Sequence, residues 1–459
     1  MATATQQPVR LPPGPRLPKY VQGIAFLIAK HDFFALLGRR YGTTLTVEMP
    51  LFGRTVVIRD PLLIKDLFST STELAERPTE LINTGSVLGP GSMFSLAGDE
   101  LVERRKLLHP AFHGKRIKSY ERVVEEEVMR EAATWREDRE FETLQPMLRI
   151  TLNAILRTVF GAEGPALDEL RSLVPSAITL GSKLILLPPV VRRDLGSWSP
   201  GSRFIEYRSR IDAVIDSLIA DARADSNFED RSDVLALLLK ARYENGEPIA
   251  DRHVADELLT MVSAGHETTA ASLAWAVERL RRHPELLSRL NEEVDAGGSE
   301  LRQATIWEVQ RTRPVVEGSL RRTKVRIKLG DWVIPEDTTV IFSIQLAHVA
   351  EENFQDAATF NPDRFVGTVP KPFAWIPFGG GINRCIGAAF ANMEMDVTLR
   401  TLLREFRIAP TDAPDEKRHT RGVVRPPGRG GRIMVHRRST EASDGASVAD
   451  LNSWRLENR

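Results

Sequence analysis

PFGGGINRCIGAAFA, residues 377–391, contains the only cysteine of the chain, Cys385. Three consecutive glycines, Gly379 to Gly381, stand just ahead of it. Glycine accepts positive φ and, having no Cβ, lets the backbone come close to a flat ligand, at an entropic cost that an ordinary loop has no reason to bear. The segment predicts a helix beginning at or just after Cys385. There the free N–H groups and the positive end of the helix dipole stabilise a thiolate, the form that binds metal. A lone cysteine in an arbitrary chain is more often a small buried hydrophobe. The glycine context favours the ligand.

Upstream, an apolar pattern of helical period runs from Asp251 to Arg282 and is stopped by His283-Pro284. At 1.5 Å per residue such a helix is roughly 45 Å long and can cross a whole domain. It contains Ala264-Gly265-His266-Glu267-Thr268-Thr269. A glycine in a helix interior costs about 1 kcal/mol relative to alanine, so Gly265 beside Ala264 points to space kept for a ligand. The Thr268 hydroxyl can bond back to the Ala264 carbonyl or release it and leave a local groove. Further helices are expected over 61–69, 99–109, 117–136, 146–160, 202–224, 232–243, 285–296 and 301–311. TLTVEM and RTVVIRD alternate with period two around PLFG and predict a hairpin, a second strand region covers 325–344, and 421–438 reads as two strands around a Pro/Gly turn.

Composition limits the function classes. The 459 residues are 42% hydrophobic and 27% charged with zero formal net charge, as in a globular protein and without the basic excess of a nucleic-acid binder. One cysteine forms no internal disulfide, which fits a reducing compartment. No apolar run approaches the ~20 residues of a spanning helix. Neither repeats nor a glycine/serine linker divide the chain. One domain over 21–438 is expected, preceded by an extended arm (1–20) rich in proline and followed by a polar, disordered tail (439–459).

Phe378, Gly379, Gly381, Cys385 and Gly387 fit the pattern FxxGxxxCxG, and on these residues the chain resembles the cytochrome P-450 family. Residues 264–269 are similar to that family's [AG]GxETT stretch, Glu308 and Arg311 to its ExxR, and Phe360 to Phe365 (FNPDRF) to its PERF-like segment. The resemblance extends from about residue 40 to residue 437. It implies a mainly α fold with small β-sheets (α+β) and a long central helix over the haem. Haem b would be the cofactor, with Cys385 as axial iron ligand. Phe378 would pack on the sulfur side, and amides after Cys385, Gly387 among them, would bond the sulfur, while Gly379 shapes the loop. Glu267 and Thr268 would relay protons for oxygen activation beside Ala264. Glu308, Arg311 and Arg364 would form a buried charge triad. A second pair, Glu317 and Arg321, lacks the Arg-Pro continuation that follows Arg311. Arg105 and Arg321 would meet the haem propionates. The chain departs from the family pattern at Leu101, where Trp or His is usual, and at Asn383, where Arg or His is usual.

The activity so implied is insertion of one atom of dioxygen into a lipophilic molecule, by hydroxylation or epoxidation. With no flavin segment and no cysteines for an iron–sulfur cluster, electrons come from outside. A ferredoxin and its reductase are expected, docking near Arg384, Arg105, Lys106, Lys115 and Arg116. Apolar stretches within 84–94 and 177–199, and the turn at 423–430, correspond to substrate-contacting loops. A cytoplasmic monomer is expected. The alternatives are a peroxide-driven peroxygenase or haem isomerase, against which the acid–threonine pair argues, and a non-catalytic haem- or lipid-binding protein.

Overall fold

The structure is a computed structural model. It describes residues 1–438 apart from 30–31, 81–84, 162, 186–192, 195 and 197 and the side chains of 27, 29 and 115. The expected tail, parts of the expected substrate loops and the Lys115 side chain therefore lie outside the described residues.

Strand β1 (Thr3–Ala4) precedes helices α1 (Lys19–Ala29) and α2 (Phe33–Tyr41), then the hairpin β2 (Thr44–Met49) and β3 (Gly53–Ile58). Next come α3 (Pro61–Phe68), β4 (Ala75–Glu76), α4 (Gly85–Leu88), α5 (Gly98–Leu108), α6 (Lys115–Ala132), β5 (Phe141–Glu142), α7 (Leu144–Phe160), α8 (Pro165–Ile185), α9 (Pro200–Ala224) and α10 (Val234–Lys240). The central α11 (Asp251–Leu280) leads to α12 (Pro284–Asp295) and α13 (Glu300–Thr312). Four strands follow, β6 (Gly318–Thr323), β7 (Ile327–Leu329), β8 (Trp332–Ile334) and β9 (Thr339–Ser343). The chain closes with α14 (Ile344–His348), α15 (Ala388–Glu405), β10 (Phe406–Ile408), β11 (Arg432–Ile433) and β12 (Val435–Arg437).

Local chemistry sets many of these boundaries. The Asp60 carboxylate accepts from the Leu62 and Leu63 amides, and Pro61 occupies the first turn, where its missing N–H costs nothing. Ser199 and Asp233 cap α9 and α10 in the same way. The strands form a five-stranded mixed sheet, β2-β3-β9-β6-β4, in which only β3 and β9 are parallel, and a three-stranded sheet, β1-β7-β8. Helix α11 is buried from Val254 to Val262 and from Thr269 to Leu280, packed along α7 and against α15.

Three segments differ from the sequence expectation. Two helices, α1 and α2, precede the hairpin. The inward side of α1 holds Gln22 and Gly23, buried, with Ala25 and Phe26 half-buried against the core, while Tyr20, Val21, Ile24 and Ile28 are exposed, a mixed pattern that hides the helix from a periodicity reading. Helix α8 is continuous despite Pro175 in its interior. The C-terminal strands do not pair with each other. Pro426 and Pro427 cannot donate ladder bonds, and Gly430 and Gly431 turn the chain at positive φ, so β11 joins β5 and β12 joins β10.

Candidate active site

The cysteine loop closes on itself through the Cys385 amide, which donates to the Phe378 carbonyl at 2.9 Å. Gly379 and Gly381 take φ of 64° and 61°. The glycines' close approach is to protein. A Cβ on Gly380 would lie 2.1 Å from the Phe68 ring, and one on Gly381 2.4 Å from the Phe68 carbonyl oxygen. The Phe378 ring meets Trp375 edge-on at 6.1 Å. Helix α15 begins at Ala388 with Gly387 as N-cap, three residues later than an opening at Cys385 itself.

The Gly387 amide still reaches back to the thiol. Burial pushes that thiol up from its ordinary range, against the pull of Gly387, Arg105 and Arg384. Yet the Cys385 side chain is solvent-accessible. A thiol both open and crowded by protein fits the wall of a recess better than the outer surface.

Helix α11 shows a second opening. Ala264 is exposed and Thr268 half-buried in a helix otherwise buried on both sides of them. The Thr268 hydroxyl donates to the Ala264 carbonyl at 2.8 Å, choosing the bonded one of its two options. Gly265 serves packing instead of a ligand, because a Cβ there would come within 3.2 Å of Ile155 on α7. Glu267 is buried, and its Oε1 accepts from Nε of Arg421 at 3.0 Å. Burial raises the Glu267 carboxyl above its usual range and Arg421 opposes the rise. Among the described residues no hydrogen bond or ion pair joins 264–268 to 378–387.

Three arginines complete the region. Arg321 on β6 is buried and donates to the Leu320 carbonyl, its neighbour in sequence. Arg105 on α5 donates to the Arg384 carbonyl at 2.7 Å. Arg77, absent from the sequence expectation, donates to the carbonyls of Met93 and Leu96 and keeps a buried Nε without a partner. Among the described residues none of the three has a carboxylate within 4 Å. Burial, reinforced by repulsion from Arg105, lowers Arg77 to about 10. Burial and then Arg77 lower Arg321 to about 10. Arg105 is also lowered, by burial first, and senses Cys385. A desolvated cluster of like charge has a deficit of anion, and two carboxylates would fill it. Haem b fits this test: one thiol for its iron and three cations for its two propionates. The Asn383 side-chain oxygen is buried without a donor, and Leu101 is buried in the core.

The triad residues come together. Arg311 binds Glu308 through two contacts of 2.7 Å and also donates to the carbonyls of His348, Ala357 and Thr359. Arg364 reaches Glu308 at 3.3 Å, beside the Asn361 amide at 2.8 Å. Glu317 pairs with Arg425 and not with Arg321. A residue the sequence reading missed, His348, accepts the Ile376 amide on Nε2 at 2.8 Å and faces the Arg311 carbonyl with Nδ1 at 3.2 Å. One nitrogen must accept and the other donate, so the ring is neutral, with its proton on Nδ1. It thereby ties the entry of the cysteine loop to α13.

Burial depresses His348 from 6.5 to about 3. The unfolded chain therefore takes up a proton below about pH 6.5 that the fold refuses, and stability is lost as pH falls from there. His266, lowered by burial to about 4, acts in the same direction. Urea midpoints should fall between pH 7 and pH 5, less steeply in His348→Gln. Equal slopes would remove His348 from this account.

The family profile described as Cytochrome P450 matches residues 12–433. The chain belongs to the cytochrome P-450 family. Cytochrome P-450 138 of Mycobacterium tuberculosis is 49% identical over 441 residues, covering 95% of this chain and 99% of its own. Cytochrome P-450 135B1 of the same organism is 35% identical over 93% of this chain and 91% of its own. The fold matches the retinoic-acid-bound cyanobacterial CYP120A1 with a TM-score of 0.80 at 22% identity, over 94% of this chain and 100% of that one. CYP102L1 matches with a TM-score of 0.79 at 22% identity and the same coverage. This P-450 is a haem-thiolate monooxygenase of the oxidoreductase class, with haem b as cofactor, a small-molecule substrate and a redox partner. No helix among the described residues is long and apolar enough to cross a membrane.

Proposed function

We propose that this P-450 hydroxylates or epoxidises a lipophilic molecule in the space between Cys385 and the Ala264–Thr268 face of α11, drawing electrons from a ferredoxin and its reductase in the cytoplasm. The observation that carries this reading is the coexistence of two separate openings, at Cys385 and at Ala264, with an arginine cluster that has no acid partner among the described residues and that reaches the cysteine through Arg105. Cys385 holds the iron, and Arg77, Arg105 and Arg321 hold the propionates. When bound, haem supplies the redox and oxygen-activating chemistry.

The protein's part is proton placement and water control. The single Thr268 proton is committed to the Ala264 carbonyl, so Oγ1 offers only lone pairs to the cavity and accepts a hydrogen bond from a water there. Glu267 next to it is held by Arg421, and release of that pair frees a carboxyl, raised above its usual range by burial, to take up and pass on a proton. The half-exposed Ser86 and the buried Val87 and Leu184 line a cleft of about 520 Å³ with Phe204 and Arg208, and this meeting of residues from two expected substrate loops supports an entrance there. The retinoic acid held by CYP120A1 supports an elongated apolar substrate. Arg105 and Arg384 are in contact and exposed or half-exposed on the cysteine side, Lys106 is paired with Glu244, and Arg116 donates to the Ser232 carbonyl.

Titrating the ferric protein with lipophilic compounds and recording spin-state shifts identifies molecules that enter the pocket. With such a compound, Thr268→Ala should keep consuming reductant while product per electron falls by about tenfold or more, because the water on the proton path loses the Oγ1 acceptor that positions it. Full coupling in Thr268→Ala, or turnover with peroxide but none with dioxygen and reductant, would overturn the reading.

A further inference from the structure

Helix α1 carries an apolar stripe on its solvent side. Tyr20, Ile24 and Ile28 follow one another at intervals of four, with exposures of 66%, 58% and 78%, and Val21 and the preceding Leu17 lie beside them, also exposed. Single exposed apolar side chains are ordinary, but a contiguous row of them marks an interaction surface. The row continues at the tip of the β2–β3 hairpin. Gly23 packs so closely on Pro50 that a Cβ would sit 2.5 Å from its ring, and the next residue, Leu51, is 55% exposed.

Charge around this row is one-sided. Before Glu48 the chain has Arg10, Arg16, Lys19, Lys30, Arg39 and Arg40 but a single acid, Asp32, although the whole chain balances to zero. Arg16, Lys19, Arg39 and Arg40 are exposed, and Glu48 is already engaged by Arg54. At 11 residues α1 is far too short to span a bilayer, for which about 20 are needed. An apolar stripe flanked by cations on a short surface helix is the pattern of a segment lying in the plane of a membrane interface.

We propose that α1 and the β2–β3 tip dock this protein on the surface of an anionic phospholipid bilayer. Tyr20, Val21, Ile24, Ile28 and Leu51 enter the headgroup–acyl boundary while Arg16, Lys19, Arg39 and Arg40 meet lipid phosphates. The contact is peripheral and salt-sensitive, because each cation near the surface adds a screened attraction. It would hold the enzyme where lipophilic molecules partition.

The test is co-sedimentation of the haem-loaded protein with vesicles of phosphatidylcholine and phosphatidylglycerol, and with vesicles of phosphatidylcholine alone. Binding to the anionic vesicles should be at least about tenfold tighter and weaken with added salt. The double variant Ile24→Glu/Ile28→Glu should lose binding, and Lys19→Glu/Arg39→Glu/Arg40→Glu should lose the preference for anionic lipid. Both alter exposed side chains, so unchanged thermal melting by circular dichroism is expected alongside. No binding, equal binding to both vesicles, or binding unaffected by Ile24→Glu/Ile28→Glu would overturn the proposal. So would a lipid-free dimer that Ile24→Glu/Ile28→Glu converts to monomer, since a second copy would then be the occupant.

Discussion

Replacing Arg311 by alanine is expected to destabilise the protein by about 3–5 kcal/mol, the range for removing one partner of a buried ion pair. Arg311 and Glu308 have no exposed side-chain surface, so the Glu308 carboxylate would be left with only Arg364 at 3.3 Å and the Asn361 amide at 2.8 Å. The carbonyls of His348, Ala357 and Thr359 would lose their guanidinium donor at the same time. These groups belong to the segment that leads through Ile376 into the cysteine loop, which gives the damage a direction. Urea unfolding should show the loss of stability, and haem retention should fall with it. Arg311→Lys should recover little, because one ammonium cannot supply a two-point contact with Glu308 and three carbonyl bonds together. A variant with alanine at this position that unfolds at the parent midpoint would show that the triad is incidental to the loop.

Replacing Cys385 by serine should have the opposite balance, with little change in fold and near-complete loss of monooxygenase activity. The loop is held by backbone groups that serine preserves, namely the 385 amide on the Phe378 carbonyl and the positive-φ glycines packed on Phe68. A serine hydroxyl ionises far less readily than a thiol, so the thiolate electron donation that favours O–O cleavage would be lost. Circular dichroism melting should differ little between parent and variant. Retained oxygenation by Cys385→Ser would place the ligand elsewhere, although no other cysteine exists in the chain.

The long central helix, the hairpin and the glycine-rich loop were legible because their signals are local, thirty residues of helical period, a tight turn and three glycines before one cysteine, whereas the fold class came through the resemblance those motifs carry. The triad was legible only through resemblance, since a Glu–Arg pair three residues apart is common on exposed helices and its complete burial is a tertiary fact. Arg77 was out of reach because its meaning lies in its neighbours. Its charge couples it to Arg105 and to Arg321, far apart in sequence, and among the described residues no acid pairs with it. His348 and Arg421 gain their roles from an Ile376 amide and a Glu267 carboxylate brought by other segments. Gly265 shows how a correct residue can carry the wrong reason: its missing side chain admits Ile155, and the open position is Ala264 one residue earlier.

The most direct measurement is the absorption spectrum of the reduced, carbon-monoxide-treated protein, recorded for the parent and for Cys385→Ser. The parent should give the long-wavelength Soret band of thiolate-ligated haem, and the variant should lack it while still holding haem through the arginine cluster. A parent spectrum of the imidazole-ligated type, or a thiolate-type band that survives in Cys385→Ser, would contradict the assignment of Cys385 as the ligand on which the rest depends.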